Sequence, residues 1–182
     1  SEVSTVCGIF GYIGHQQALP ILVEGLRRLE YRGYDSTGVA VDDGQSIQTH
    51  KTVGKVADLK AILPPSVQGT LGIAHTRWAT HGGVTQVNTH PHASEAGTVH
   101  LVHNGIIENS QQLKKGLLKR GIECVSETDS EVLAHMIALE IESGSTPLES
   151  VQKTLRRLRG TWGLCILFKE HDLLVCARNG SP

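Results

Sequence analysis

The chain has 182 residues, with 17 basic and 18 acidic side chains and a net charge of -1, so no overall field draws it to nucleic acid or an anionic membrane. It is the size of one domain able to bury a core without cross-links, and no apolar run approaches the ~20 residues of a membrane span. The four cysteines (Cys7, Cys124, Cys165 and Cys176) form no Cys-x-x-Cys pair, and three of them sit in apolar runs; they read as reduced thiols of a cytoplasmic protein.

Ser1 to Val6 have neither a basic end nor an apolar stretch, so they do not read as a secretion signal. Residues 7–14 read as a strand that begins at Cys7. Leu19, Leu22, Val23, Leu26 and Leu29 fall at helical spacing, with Pro20 near the start and Gly33 past the end; Glu24, Arg27 and Arg28 take the wet face. Strands at 37–41 and 46–52 flank the turn signal Asp42-Asp43-Gly44. A short helix over 55–62 stops at Pro64-Pro65, and a strand at 70–75 runs into a polar stretch. The next strand, 98–103, ends at Asn104-Gly105. Asn109 is a natural N-cap for a helix carrying Leu113, Leu117 and Leu118 and closed by Gly121. Thr128 to Glu131 has the capping-box spacing, opening a helix with Val132, Leu133, Met136, Ile137 and Leu139 inward. Pro147 opens a helix with Leu148, Val151, Leu155 and Leu158 on one face, stopped by Gly160. Strands at 161–168 and 172–178 close the pattern across residues 169–171. Strands outnumber helices and most are hairpin neighbours, which predicts a layered α+β fold over a doubly wound parallel sheet. The stop at Asn179 to Pro182, directly after a strand, reads as a cut domain.

The chemistry centres on Cys7. A cysteine at a chain terminus has its own α-amine within reach of its sulfur, so the pair can serve as base and nucleophile near neutral pH. Otherwise Cys7 is a small buried hydrophobe. Arg77 can clamp a carboxylate and Trp78 can cover a ligand; the competing reading is a surface arginine beside a half-buried tryptophan. Asn104-Gly105 offers a side-chain amide and a closely approaching backbone N–H to an oxyanion, or is an ordinary turn. Asp129 can hold an ammonium or cap its own helix. Arg32-Gly33 is a ligand-facing corner or a helix stop. His75, His81, His90, His92, His100 and His103 have no zinc spacing, so neither metal nor cofactor is expected. Cys124, Cys165 and Cys176 read as core. A thiol, two oxyanion donors, a carboxylate clamp and an ammonium partner together suit an α-amino acid attacked at a side-chain carbonyl.

Five stretches carry a resemblance: Cys7-Gly8-Ile9-Phe10-Gly11, Leu29 to Ser36, His75 to Gly82, His103 to Asn109 and Ser126 to Asp129. In order, over residues 7–182, the chain resembles the glutaminase domain of the glutamine–fructose-6-phosphate aminotransferase family, class II glutamine amidotransferases of the N-terminal nucleophile hydrolase fold. The resemblance implies a four-layer αββα sandwich acting on L-glutamine. Cys7 would form the glutamyl thioester with its free α-amine as base, and Asn104 and Gly105 would hold the oxyanion. Arg77 would take the α-carboxylate and Asp129 the α-amino group, with Thr80 and His81 lining the pocket. Trp78 would close over it, and Arg32 and Gly33 would border the nucleophile. It further implies a C-terminal isomerase domain for fructose 6-phosphate, absent here, and a full-length homodimer. The alternatives are a relative that feeds phosphoribosyl pyrophosphate and a silent fragment. The silent fragment follows from residues 1–6, which read as an extension (a propeptide or an expression remnant) and leave Cys7 an amide nitrogen while attached.

Overall fold

The computed structural model describes residues 7–30, 35–77 and 83–180. Two four-stranded antiparallel sheets stack face to face. The first has the order β1-β4-β2-β3, from β1 (Gly8–Ile13), β2 (Ser36–Asp42), β3 (Ile47–Val53) and β4 (Leu71–Arg77). The second has the order β5-β6-β7-β8, from β5 (His92–Ala93), β6 (Val99–Ile107), β7 (Gly160–Phe168) and β8 (Leu174–Asn179). Helices α1 (Ala18–Leu29) and α2 (Val56–Ile62) cover the first sheet. Helices α3 (Ser110–Lys119), α4 (Asp129–Glu142) and α5 (Pro147–Leu155) cover the second.

Three apolar layers match this stacking. Leu22, Leu26, Val39, Val41 and Leu59 fill the space between α1, α2 and the first sheet. Ala40, Leu71, Ile73, Val102, Cys165 and Leu167 lie between the sheets. Leu101, Leu133, Ile137, Leu164 and Ile166 pack the second sheet against α4 and its neighbours. Alternation explains the division: Ala40 faces the other sheet while Val39 and Val41 face the helices, as the two-residue period of a strand requires. The expected αββα sandwich is therefore the fold.

Helix α1 has the predicted inward face, with Glu24, Arg27 and Arg28 paired on the water side. Several local expectations are corrected. Strand β6 does not stop before Asn104 but runs through Gly105 to Ile107, because Thr161 and Trp162 of β7 keep pairing with it. Asn109 stands at the start of α3 without capping it; its amide bridges instead to the Arg157 carbonyl and the Arg159 N–H. Thr128 accepts the Glu131 N–H as expected, but the Glu131 carboxylate turns to the Val125 and Ser126 N–H groups, so the box is only half formed. The complete box lies at Thr146 and Glu149, ahead of α5. Leu118 and Leu148, expected inward, are exposed. Gly160 is the first residue of β7, not the stop of α5, which ends at Leu155.

Helix α4 departs from the amphipathic pattern most. Residues Ser130 to Ala138 are all buried, because β6 lies beneath the helix and α3 and α5 flank it. Its buried Ser130, Glu131 and His135 therefore need partners inside the protein, and they have them.

Candidate active site

Cys7 immediately precedes β1, which pairs with β4 in a register that sets Gly8 opposite Thr76. The Gly8 N–H also reaches the Thr76 hydroxyl at 3.2 Å. Arg77, the next residue, closes β4 and is buried. From the second sheet, Asn104 comes across: its side-chain N–H donates to the Cys7 carbonyl at 2.6 Å, joining residues 97 apart in the chain. Asn104 and Cys7 both line a cavity of about 480 Å³ between the open edges of β1 and β8.

The Asn104 amide is oriented from behind. Its oxygen lies 3.1 Å from His75 Nε2, which is also 3.1 Å from the His103 carbonyl. Both partners are acceptors, so Nε2 carries the proton. Burial, the dominant influence, pushes His75 down to about 3, so the ring is neutral at pH 7 and Nδ1 keeps its lone pair. With its oxygen held by His75, Asn104 must present NH₂ to Cys7.

Behind His75 lies a set of histidines that sequence reasoning considered only as metal ligands. His90 stacks on His75 with ring centroids 4.0 Å apart. His90 Nε2 and His103 Nδ1 each lie 2.8 Å from the Ser130 hydroxyl. His92 Nε2 meets the Thr128 hydroxyl at 2.9 Å. Burial holds His90 well below its usual range and His92 at about 3; it lowers His103 too, against the pull of the Asp129 carboxylate. The set is a neutral hydrogen-bonded support that joins β4, β6 and the start of α4. The sequence signal was the density of histidines, whose purpose only the long-range pairing reveals.

Asp129 opens α4, but Thr128 caps it. The Asp129 carboxylate instead crosses to β6, where it accepts the Ile107 N–H at 2.8 Å and faces His103 Nδ1 at 3.7 Å. Gly105 has φ +123, and a Cβ there would run into the Thr161 carbonyl, so only glycine fits. Arg77 donates Nη1 to the Asn88 carbonyl at 2.7 Å. The Asn88 side chain in turn meets Glu127, accepting its N–H at 2.9 Å. The structure joins Cys7 to Asn104, which precedes Gly105, sets Arg77 one residue beyond Thr76, the partner of Gly8, and ties Asp129 to Ile107; of these five, Cys7 and Asn104 line the cavity. Arg32, Gly33, Trp78, Thr80 and His81 lie outside the described residues.

A separate cluster lies at the other face of α4. Cys124, Glu131 and His135 bring S, O and N ligand atoms within 4.8 Å of one another, a set that could hold a metal ion. Glu131 Oε2 already accepts from His135 at 2.8 Å, and its carboxylate also takes two backbone N–H groups. Burial opposes charge on both partners, but His135 and the N–H donors still bring Glu131 down to about 2. Cys124 and Glu131 raise His135 to about 9. The pair clamps the loop before α4 to the helix.

Residues 75–181 match the model of the glutamine amidotransferase domain. The chain belongs to the glutamine amidotransferase family. This amidotransferase domain is 46% identical over 179 residues to the isomerizing glutamine–fructose-6-phosphate aminotransferase of Mesorhizobium japonicum. It is 50% identical over 180 residues to the enzyme of that name from Aliivibrio fischeri. Both alignments cover 97% of the domain but only 29% of the relative, so the chain spans under a third of the length of the curated relatives it matches. Among solved structures, it is similar to a Bacillus subtilis glutamine phosphoribosylpyrophosphate amidotransferase complexed with ADP and GMP. The TM-score is 0.80 at 29% identity, covering 96% of this domain and 37% of that chain. It is also similar to a structure described as the allosteric regulatory enzyme of purine biosynthesis, with a TM-score of 0.82 at 31% identity and the same coverages. No helix among the described residues is long and apolar enough to cross a membrane.

Proposed function

We propose that the chain is the glutaminase domain of a glutamine–fructose-6-phosphate aminotransferase. It hydrolyses L-glutamine to glutamate and ammonia, and a following isomerase domain uses the ammonia to make glucosamine 6-phosphate. The observation that carries the reading is the Asn104 amide held against Cys7 across the two sheets. In this reading Cys7 Sγ attacks the carboxamide carbon and the α-amine of Cys7 takes the thiol proton. The oxyanion accepts from the second N–H of Asn104 and from the Gly105 N–H. Collapse expels ammonia, protonated by the same amine, and water then releases glutamate from the thioester. Arg77 binds the α-carboxylate and Asp129 the α-ammonium. Thr80 and His81 would line the pocket, Trp78 would close over the substrate, and Arg32 and Gly33 would border the nucleophile.

The α-amine is basic only when Cys7 is the first residue, so the active form is the one from which residues 1–6 have been removed. With them attached, the domain binds glutamine without turning it over. The full-length protein is a homodimer of the cytoplasm, in keeping with four cysteines that form no disulfide. Identity favours the sugar-phosphate acceptor over phosphoribosyl pyrophosphate: 46–50% against 29–31%.

The test compares the 182-residue chain with a form beginning at Cys7, measuring glutamate release from glutamine and acylation of Cys7 by mass spectrometry. Turnover is expected only in the second form and is abolished by Cys7→Ala. Equal turnover in both forms, or turnover surviving Cys7→Ala, overturns the reading.

A further inference from the structure

Cys165 and Cys176 take no part in the chemistry assigned to Cys7, and each alone reads as a small core residue. The register of β7 and β8 sets them directly opposite one another. Opposed residues leave the sheet on the same face, and their sulfurs lie 3.5 Å apart. Opposed antiparallel Cα atoms stand about 4.5–5.5 Å apart, inside the 4.4–6.8 Å span of natural disulfides, so a bond can close without moving either strand.

The two sulfurs differ in access. Cys165 is 7% exposed and packs in the layer between the sheets, whereas Cys176, on the edge strand, is exposed. Both line the cavity of about 480 Å³ that also reaches Cys7. A small molecule entering there meets one open sulfur, with a shielded one in contact behind it. An attacking and a resolving thiol need that division.

We propose that Cys165 and Cys176 form a thiol–disulfide exchange site that a small-molecule disulfide oxidises to a cross-strand disulfide. The Cys176 thiolate attacks one sulfur of the incoming disulfide, forming a mixed disulfide and expelling the first small thiolate, which takes up the proton Cys176 had lost. Cys165 then attacks Cys176 Sγ, giving its proton to the second small thiolate as that leaves. Two protein thiols are oxidised and one disulfide is reduced to two thiols. The electrostatics favour Cys176 as the first attacker: the hydrogen bond with Cys165 lowers it to about 7, and the same bond, which is lost once Cys176 is in the mixed disulfide, holds Cys165 upward until then.

The experiment incubates the 182-residue chain with oxidised glutathione. Free thiols are counted, and intact mass and peptide linkage are read. The expected result is a fall from four reduced thiols to two, a loss of two hydrogens with no retained glutathione, and a peptide joining Cys165 to Cys176. Cys165→Ala should stop at a glutathione adduct on Cys176. Cys176→Ser, a change on an exposed edge position, should lose the reaction. Retained glutathione in the parent chain, a linkage through Cys7 or Cys124, or unchanged oxidation in Cys176→Ser overturns the proposal. None of these outcomes depends on glutamine turnover, so the exchange site and the glutaminase reading stand or fall separately.

Discussion

Replacing His75 by Phe keeps a ring of similar size against His90 but deletes the Nε2–H that holds Asn104 Oδ1 at 3.1 Å. The half-buried amide oxygen and the buried His103 carbonyl both lose that donor, so stability should fall by roughly 2 kcal/mol. The effect on rate follows from what Asn104 supplies. A single oxyanion donor is worth about 10²–10³ in kcat. Asn104 keeps its contact with the Cys7 carbonyl, so the loss of orientation should take only part of this: kcat about 10–30-fold lower, with KM within about twofold. The assay is the glutamine dependence of glutamate release by the form beginning at Cys7, paired with thermal unfolding. A double-mutant cycle makes it decisive. In an Asn104→Ala background, His75→Phe should cost nothing further in kcat, because the group it orients is gone. If the two losses multiply, or if His75→Phe destabilises the fold while kcat stays within twofold, His75 does not act through Asn104. His75→Gln, which restores a donor, should recover part of the rate.

Other outcomes follow from the same geometry. Arg77→Lys keeps the charge but loses the planar fork, and should raise KM for glutamine about tenfold or more with a smaller change in kcat. Gly38→Ala should destabilise the fold by about 2 kcal/mol or more in denaturant titration, because the added Cβ meets the His90 carbonyl and the neighbouring Pro91 ring. Acid should unfold the chain steeply. His75, His92 and His100, held at about 3, 3 and 4, have folded values below the unfolded one. The stability they contribute is whole above pH ~6.5 and is lost as pH falls toward those values, by up to ~1.4 kcal/mol per pH unit each. At the alkaline end, His135 is raised to about 9, so its contribution is present below pH ~6.5 and lost as pH rises through 9. Stability scans of His135→Gln should lack that alkaline decline.

The layered α+β architecture and most element positions were legible because strand and helix periods are local. What escaped depends on which partner each group takes in the folded chain. Strand β6 outran its predicted end because β7, more than fifty residues later, continues to pair with Asn104 to Ile107. Glu131 has the spacing of a capping box, yet His135 and the loop N–H groups claim its carboxylate. Asn104 is legible as an oxyanion donor from its dipeptide and from the family stretch around it, but the residue that aims it, His75, lies 29 positions away, and the stretch it opens gives it no such role. Cys165 and Cys176 show the limit most simply. Shifting the hairpin register by one residue would oppose Cys165 to Val175 and turn Cys176 to the other face, and strand boundaries read from sequence are not that fine.

The contact between Asn104 and Cys7 belongs to neither sheet, since each contributes one partner. The spacing of that contact is therefore set by the thickness of the filling between the sheets, the side chains of Ala40, Leu71, Ile73, Val102 and Leu167. A methylene added or removed there acts like a shim under one half of a vice. It alters the grip on Cys7 without touching any residue proposed to meet glutamine.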